Sequence, residues 1–236
     1  MRIARVLFAR LPEPGLVKTR LAADLDGPSA FALYRWLLRA QKHAFEEKPE
    51  PGSSYTDYVY YAPAISRLGA RAKFYPDLTG LRLRFKPQIA GDLGQRLAAA
   101  AAEVLRDHDL AMIWGADIPA LPPGIFATAS ALSPQSVITL ARDGGYAFLS
   151  VAKEKFSPDI FSHIRWSTAQ AGKDQITALK RCGIKVVVRA KVADLDRIYD
   201  LPRILRELEA FGRTEVRQDL HHTIRNLNSL FSPGEE

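Results

Sequence analysis

The amino-acid sequence reads as an α/β protein with a mostly parallel central sheet covered by helices on both faces. Three observations lead there. Short apolar runs alternate with segments whose apolar residues recur every three or four positions, the pattern of successive strand and helix units. The loops richest in polar chemistry, residues 10–20, 115–123 and 141–146, each follow an apolar run, as ligand-binding loops do at the carboxyl edge of a parallel sheet. No internal repeat, low-complexity stretch or interdomain linker interrupts a chain of 236 residues that is 47% hydrophobic, enough for one core-bearing domain.

Taken in order, Ile3 to Ala9 reads as a buried strand stopped by the Pro/Gly loop LPEPG, which continues neither a ladder nor a helix. Phe31, Tyr34, Leu37, Leu38 and Phe45 then recur at helical spacing over Ala30 to Phe45, and EEKPEPGSS follows as a surface linker. Tyr58 to Tyr61 and Ala72 to Tyr75 read as two short strands around a brief helix near Ile65. Leu93 to Leu105 carries Leu93, Leu97, Ala101, Val104 and Leu105 on one helical face. Leu110 to Trp114 is a buried strand ending at GADIPALPP. Ser136 to Leu140 and Tyr146 to Val151 are strands joined by ARDGG, either as a hairpin or as separate strands. Thr168 to Lys180 suits a helix, Ile184 to Val188 a strand and Leu201 to Phe211 a helix. Residues 213–236 form a helical extension beyond the domain at 1–212, with Val216, Leu220, Ile224, Leu227 and Leu230 on one apolar face. That face either packs on its own domain or forms a homo-oligomer contact.

The single cysteine, Cys182, makes no intramolecular disulfide and belongs to no metal-ligand pair. The apolar run Val6 to Ala9 is too short for a signal peptide, and no stretch approaches the ~20 apolar residues of a membrane span. A soluble cytoplasmic protein is expected. The net charge of +7 suits anionic partners in general. Its distribution is more telling, because residues 1–20 hold Arg2, Arg5, Arg10, Lys18 and Arg20 against Glu13 alone.

Loops after parallel strands share one edge, so Arg10, Lys18 and Arg20 are expected to face Asp117 and Asp143 across a cleft. Cations for phosphates would then stand beside carboxylates for a hard metal. The Gly-x-x-x-x-Gly-Lys spacing of a Walker loop is absent, since only Gly15 precedes Lys18, although backbone amides near Gly15 remain suited to a phosphate. Each residue also has a plainer reading. PEPGLVKTR serves equally as a solvated turn, Asp117 and Asp143 as turn carboxylates, Gly144 and Gly145 as turn glycines, and Asp194 or Asp196 as a helix cap. No Ser-His-Asp or Cys-His order supports a hydrolytic nucleophile.

Read together, LPEPGLVKTRL, GDLGQRL, WGADIPAL, RDGGYAFL, IRWST and DLDRIYDL resemble, in order and over roughly residues 3–205, the DUF2064 family of nucleotide-diphospho-sugar transferases. The resemblance implies a Rossmann-like GT-A α/β/α sandwich, binding of a nucleoside triphosphate or nucleotide sugar, and dependence on Mg2+ or Mn2+. It carries the basic loop onto Lys18 and Arg20, the metal-type aspartate onto Asp117, the Asp-Gly-Gly-Tyr turn onto Asp143, Gly144, Gly145 and Tyr146, and the Trp-Ser-Thr motif onto Trp166, Ser167 and Thr168. The late aspartate falls on Asp196. Arg10 departs from the usual lysine, Ile118 from a common cysteine, and TLARDGGY lacks a frequent Gly-Pro.

On that basis Lys18 and Arg20 are expected to neutralise a departing pyrophosphate with help from Arg10, while Asp117 and Asp196 hold the metal. Gln88 and the turn Gly91, Asp92, Gly94 are expected at base or ribose, and Asp143 to Tyr146 and Trp166 to Thr168 on the acceptor side. The favoured reaction is nucleotidyl transfer to a small phosphorylated or anionic acceptor. Glycosyl transfer from a nucleotide sugar is the alternative, weakened because Gly115 stands where a full Asp-x-Asp would begin. A non-catalytic nucleotide-binding protein is a further reading. Nucleic acid is disfavoured, because no basic and aromatic interleaving or nucleic-acid module is present.

Overall fold

The computed structural model describes residues 1–231, with side chains through Leu227, so Leu230 lies outside the described side chains. The chain runs β1 (Arg2–Arg10), α1 (Thr19–Asp24), α2 (Gly27–Ala40), α3 (Lys42–Glu46), β2 (Ser54–Ala62), α4 (Arg67–Leu78), β3 (Leu83–Pro87), α5 (Leu93–Leu105), β4 (Leu110–Gly115), α6 (Ile125–Ala131), β5 (Ser136–Ala141), β6 (Tyr146–Ala152), α7 (Ala171–Arg181), β7 (Val186–Val192), α8 (Leu201–Ala210) and α9 (Thr214–Phe231). The described strands form one seven-stranded sheet in the order β3-β2-β1-β4-β6-β5-β7. Only β6 runs antiparallel to its neighbours, β4 and β5.

Side chains alternate across the sheet and so divide the core in two. From β1, Ile3 and Leu7 enter one layer with Leu33, Trp36 and Leu37 of α2, Phe74 of α4 and Phe126 of α6. Ala4 and Val6 enter the other, with Leu97, Ala101 and Val104 of α5 and Leu179 of α7. The C-terminal helix α9 closes the first layer. Val216 and Leu220 are buried there, Trp36 donates its indole N–H to the Val216 carbonyl at 3.1 Å, and Arg39 grips Asp219 at 2.8 Å.

Several elements differ from the sequence reading, which places no helix at α1 or α6 and ends the strand β7 at Val188 rather than Val192. Ala72 to Tyr75 lies within helix α4, because Ala70, Phe74 and Leu78 recur every four residues and are buried on one face, a period longer than the short apolar run displays. The third strand is instead β3, a five-residue edge strand whose LRFKP sequence has no continuous apolar run and only a brief alternation, Leu83 and Phe85 packing on the core. The segments around ARDGG form a hairpin, with Ile138 opposite Leu149 and Leu140 opposite Tyr146.

Arg5 is buried rather than part of a surface cluster. Its guanidinium pairs with Asp57 of β2 through bonds of 2.7 and 2.8 Å, donates to the carbonyls of Ala44, Phe45 and Glu47, and lies 4.1 Å from the Tyr55 ring centroid. It therefore satisfies the orphan carbonyls at the end of α3 and fixes that end to the sheet. Arg5→Met removes every one of these bonds and strands the Asp57 carboxylate, so chemical denaturation should record a loss of about 3 kcal/mol or more.

The turn between β5 and β6 is held against the start of α7. Gly144 has φ +95°, and a Cβ there would lie 2.1 Å from the Ala169 carbonyl oxygen, while its own carbonyl accepts the Gly172 N–H at 2.8 Å. Gly144→Ala should lower stability by about 2 kcal/mol or more in the same measurement, whereas Gly15→Ala, at a position with open space around it, should cost only its positive-φ penalty of about 1 kcal/mol.

Candidate functional site

The strand order reverses direction at β1 and β4: the chain builds outward to β2 and β3 on one side and to β6, β5 and β7 on the other. A crevice opens at such a switch point, beyond the carboxyl ends of the two strands. Ala116 N–H donates to the Phe8 carbonyl at 3.0 Å, joining the loop after β4 to β1. The segment after β7 crosses back to meet them, with Leu195 N–H on the Asp117 carbonyl at 3.1 Å. Arg197 adds bonds to the Arg20 carbonyl at 3.2 Å and to Asp24 at 3.3 Å. Three segments distant in sequence are thereby fixed at one place.

Lys18 stands where they meet. Its ammonium contacts Asp117 directly and lies 3.7 Å from Asp196, while Arg20 reaches the other oxygen of Asp196 at 3.1 Å. The Lys18 side chain is only 5% exposed although Asp117 is 59% exposed, so the cation is drawn inward beneath carboxylates that face the cleft. Lys18 also adopts φ 51°, ψ 43°, a left-handed conformation uncommon outside glycine and concentrated at functional positions.

The cleft itself has a volume of about 550 Å³. Arg20, Asp117, Asp143, Asp194 and Asp196 supply its charged lining, and Phe8, Leu93, Leu97, Ile113, Tyr146 and Trp166 an apolar wall. Burial, followed by the charge of Asp143, pushes the Asp194 carboxyl up to about 6. Burial also pushes the Tyr146 hydroxyl upward, and that hydroxyl has no hydrogen-bond partner among the described residues. The Tyr146 and Trp166 rings lie 6.2 Å apart at 56°.

Of the residues singled out in the sequence, Lys18, Arg20, Asp117, Asp143, Gly145, Tyr146, Trp166, Ser167, Thr168 and Asp196 are at or around this cleft. Others have a structural occupation. Arg10 is exposed at the end of β1 and does not line the cleft, its carbonyl accepting the Tyr34 hydroxyl at 2.6 Å. Gly15, at φ 77°, shapes an exposed turn. Gln88 spends its amide on the Tyr60 and Ala9 carbonyls at 2.9 and 3.4 Å, tying strand ends together. Asp92 caps α5 with Gln95 in a reciprocal pair, and Gly91 makes the turn before it at φ 125°. Gly94 is a contact glycine, since a Cβ would sit 2.7 Å from the Trp166 indole nitrogen.

Asp143 accepts its own turn's Gly145 N–H at 2.8 Å, so the turn reading and the cleft reading both hold for it. Thr168 donates to the Arg165 carbonyl and accepts from Gln170 N–H, ordering the loop in which Ser167 takes φ 60°. Neither Asp194 nor Asp196 is a cap. The N-cap position of α8 is Asp200, whose carboxylate turns back to accept the N–H groups of Asp196 and Arg197 at 3.0 and 2.7 Å. Asp194, which the sequence offers with Asp196 either for a metal site or as a helix cap, lines the cleft together with it.

Among the described residues, no group of three or more His, Cys, Asp or Glu side chains is arranged to hold a metal alone. Mg2+ does not require one, because it commonly takes one or two carboxylates and completes its shell with phosphate and water. Asp117 and Asp196 meet that description, since both already converge on a single cation, the Lys18 ammonium.

Comparisons agree with this architecture. The structure is similar to that of a protein from Desulfovibrio desulfuricans G20 provisionally named a nucleotide-diphospho-sugar transferase, at 28% identity and a TM-score of 0.80 over 95% of this chain and 97% of that one. A nucleotidyl transferase from Methanothermobacter thermautotroptrophicus shares the fold at 14% identity and a TM-score of 0.50, over 90% of this chain and 98% of that one. No curated protein sequence matches. No described helix is long and apolar enough to cross a membrane. The model of the DUF2064 family, described as an uncharacterized protein conserved in bacteria, matches residues 53–168, and the motifs holding Lys18 and Asp196 flank that span.

Proposed function

We propose that this protein is a nucleotide-utilising transferase that moves a nucleotidyl group from a nucleoside triphosphate to a small-molecule acceptor, assisted by Mg2+ or Mn2+. The observation that supports it most is the convergence of Lys18 and Arg20 with Asp117 and Asp196 at the carboxyl edge of β1 and β4. In this reaction an acceptor oxygen forms a bond to the α-phosphorus as the bridging oxygen between α and β phosphorus departs with pyrophosphate. Lys18 and Arg20 would neutralise that leaving charge, and no protein nucleophile is required. Asp117 and Asp196 would hold the divalent ion, which supplies Lewis-acid neutralisation of the phosphates.

Glycosyl transfer from a nucleotide sugar is the second reading. It is favoured by the aromatic wall of Tyr146 and Trp166 and by the name given to the Desulfovibrio protein. The two differ in what leaves, pyrophosphate in the first and a nucleoside diphosphate in the second. A thermal-shift screen of nucleoside triphosphates and nucleotide sugars, with and without Mg2+ or Mn2+, should show stabilisation by a triphosphate that increases with metal. Product analysis should then find pyrophosphate. Stabilisation by none of these ligands would contradict the transferase reading.

Asp117→Asn should abolish turnover and also weaken metal-dependent nucleotide binding in calorimetry. Turnover lost with that binding intact would show that Asp117 is not a metal ligand. Lys18→Met should weaken triphosphate binding by about tenfold or more, in line with one charge-assisted contact, and Lys18→Arg should restore part of it.

A further inference from the structure

We propose that the acceptor half of the cleft takes an uncharged, hydroxyl-bearing compound with an apolar face, and that it disfavours a phosphorylated one. The inference rests on the transferase reading and concerns the chemistry of its second substrate.

The charges around the cleft decide first. Of the residues lining it, Arg20 is the one Lys or Arg, against Asp117, Asp143, Asp194 and Asp196. Arg20 is paired with Asp196, and Lys18 lies beneath the surface on Asp117. Nearby basic side chains are turned elsewhere: Arg142 pairs with Glu207 at 2.8 Å, and Arg165 with Asp174 at 2.8 Å. A divalent ion and the donor's phosphates would occupy Asp117, Asp196 and the two cations. Asp143 and Asp194 would remain, and like charges disfavour a phosphate dianion beside them.

The walls decide second. Trp166 packs closely on Gly94, where a Cβ would lie 2.7 Å from the indole nitrogen, and its backbone N–H bonds the Ile164 carbonyl at 3.0 Å. Together with Tyr146, Leu93 and Leu97 it offers a preorganised apolar and aromatic surface. The buried Tyr146 hydroxyl, without a partner among the described residues, adds one unsatisfied polar group to a residue of that wall. An aromatic platform flanked by carboxylates matches a molecule with an apolar face and hydroxyls around it. The carboxylates accept hydrogen bonds from the hydroxyls while the ring face covers the C–H surface.

Phenyl β-D-glucopyranoside and its 6-phosphate are a matched probe pair that differ only in the phosphate. Ligand-observed NMR titrations on the full chain should give the uncharged probe an affinity about tenfold or more above that of its phosphate. Trp166→Ala should weaken the uncharged probe by about tenfold. In the Asp143→Asn/Asp194→Asn double variant, with folding verified by circular dichroism, the gap between the probes should close to about threefold or less. Equal or tighter binding of the 6-phosphate by the wild-type protein, absence of binding by the uncharged probe, or indifference to Trp166→Ala would overturn the inference. Calorimetry with nucleoside triphosphates on the same samples separates the two claims. Nucleotide binding alongside a preference for the 6-phosphate sinks the acceptor assignment alone. Absent nucleotide binding sinks the transferase reading, while the probe preference still decides the chemistry of the wall.

Discussion

The ammonium of Lys18 is the contact on which the candidate site depends. It brings the loop after β1 to Asp117 at the end of β4 and to Asp196 beyond β7. Without that cation, Asp117 would lose its ion-pair partner and Asp196 would keep only Arg20. The left-handed backbone at Lys18 and the near-complete burial of its side chain fit a residue held in place by its partners rather than by its own preferences. A basic loop that reads as solvated thus becomes the inner wall of a cleft. In the proposed reaction its charge would both hold the site together and meet the anionic donor.

The rest of the fold makes that convergence possible. The switch in strand order at β1 and β4 opens the crevice, and the parallel register brings both strand ends to the same edge. Buried Arg5 secures the other end of the β1 and β2 pair through Asp57 and the carbonyls closing α3. On the far wall, Gly144 and Gly172 let the β5–β6 turn and the start of α7 meet backbone to backbone, and Gly94 admits the Trp166 indole. These glycines serve close approach, which is why the hydrogen bonds and ring contacts they permit can be so short-ranged.

Much of this was legible in the sequence. The alternation of strands and helices, the bounds of α5 and the positions of Asp117, Asp143 and Asp196 after their strands followed from apolar periodicity and turn chemistry, whereas Trp166 came only through the motif resemblance. The motif order pointed to the family that matches residues 53–168. Local pattern did not separate charged residues by destination. Arg5 and Lys18 look alike in a string of basic residues, yet one closes a helix end and the other joins two aspartates, because strand alternation and distant partners decide where each goes. The GDLG turn likewise reads as a ligand loop, but its Asp92 is a helix cap and its Gly94 a packing contact. Strand β3 was hidden because an edge strand needs no apolar run.

The account is tested most directly by a double-mutant cycle on unfolding free energy with Lys18→Met and Asp117→Asn, measured without ligand or metal. If the ammonium joins the loops, the two changes are coupled by about 1 kcal/mol or more, since losing either partner already forfeits the contact. Effects that add to within about 0.3 kcal/mol would place Lys18 and Asp117 apart in solution and contradict the assembly of the site.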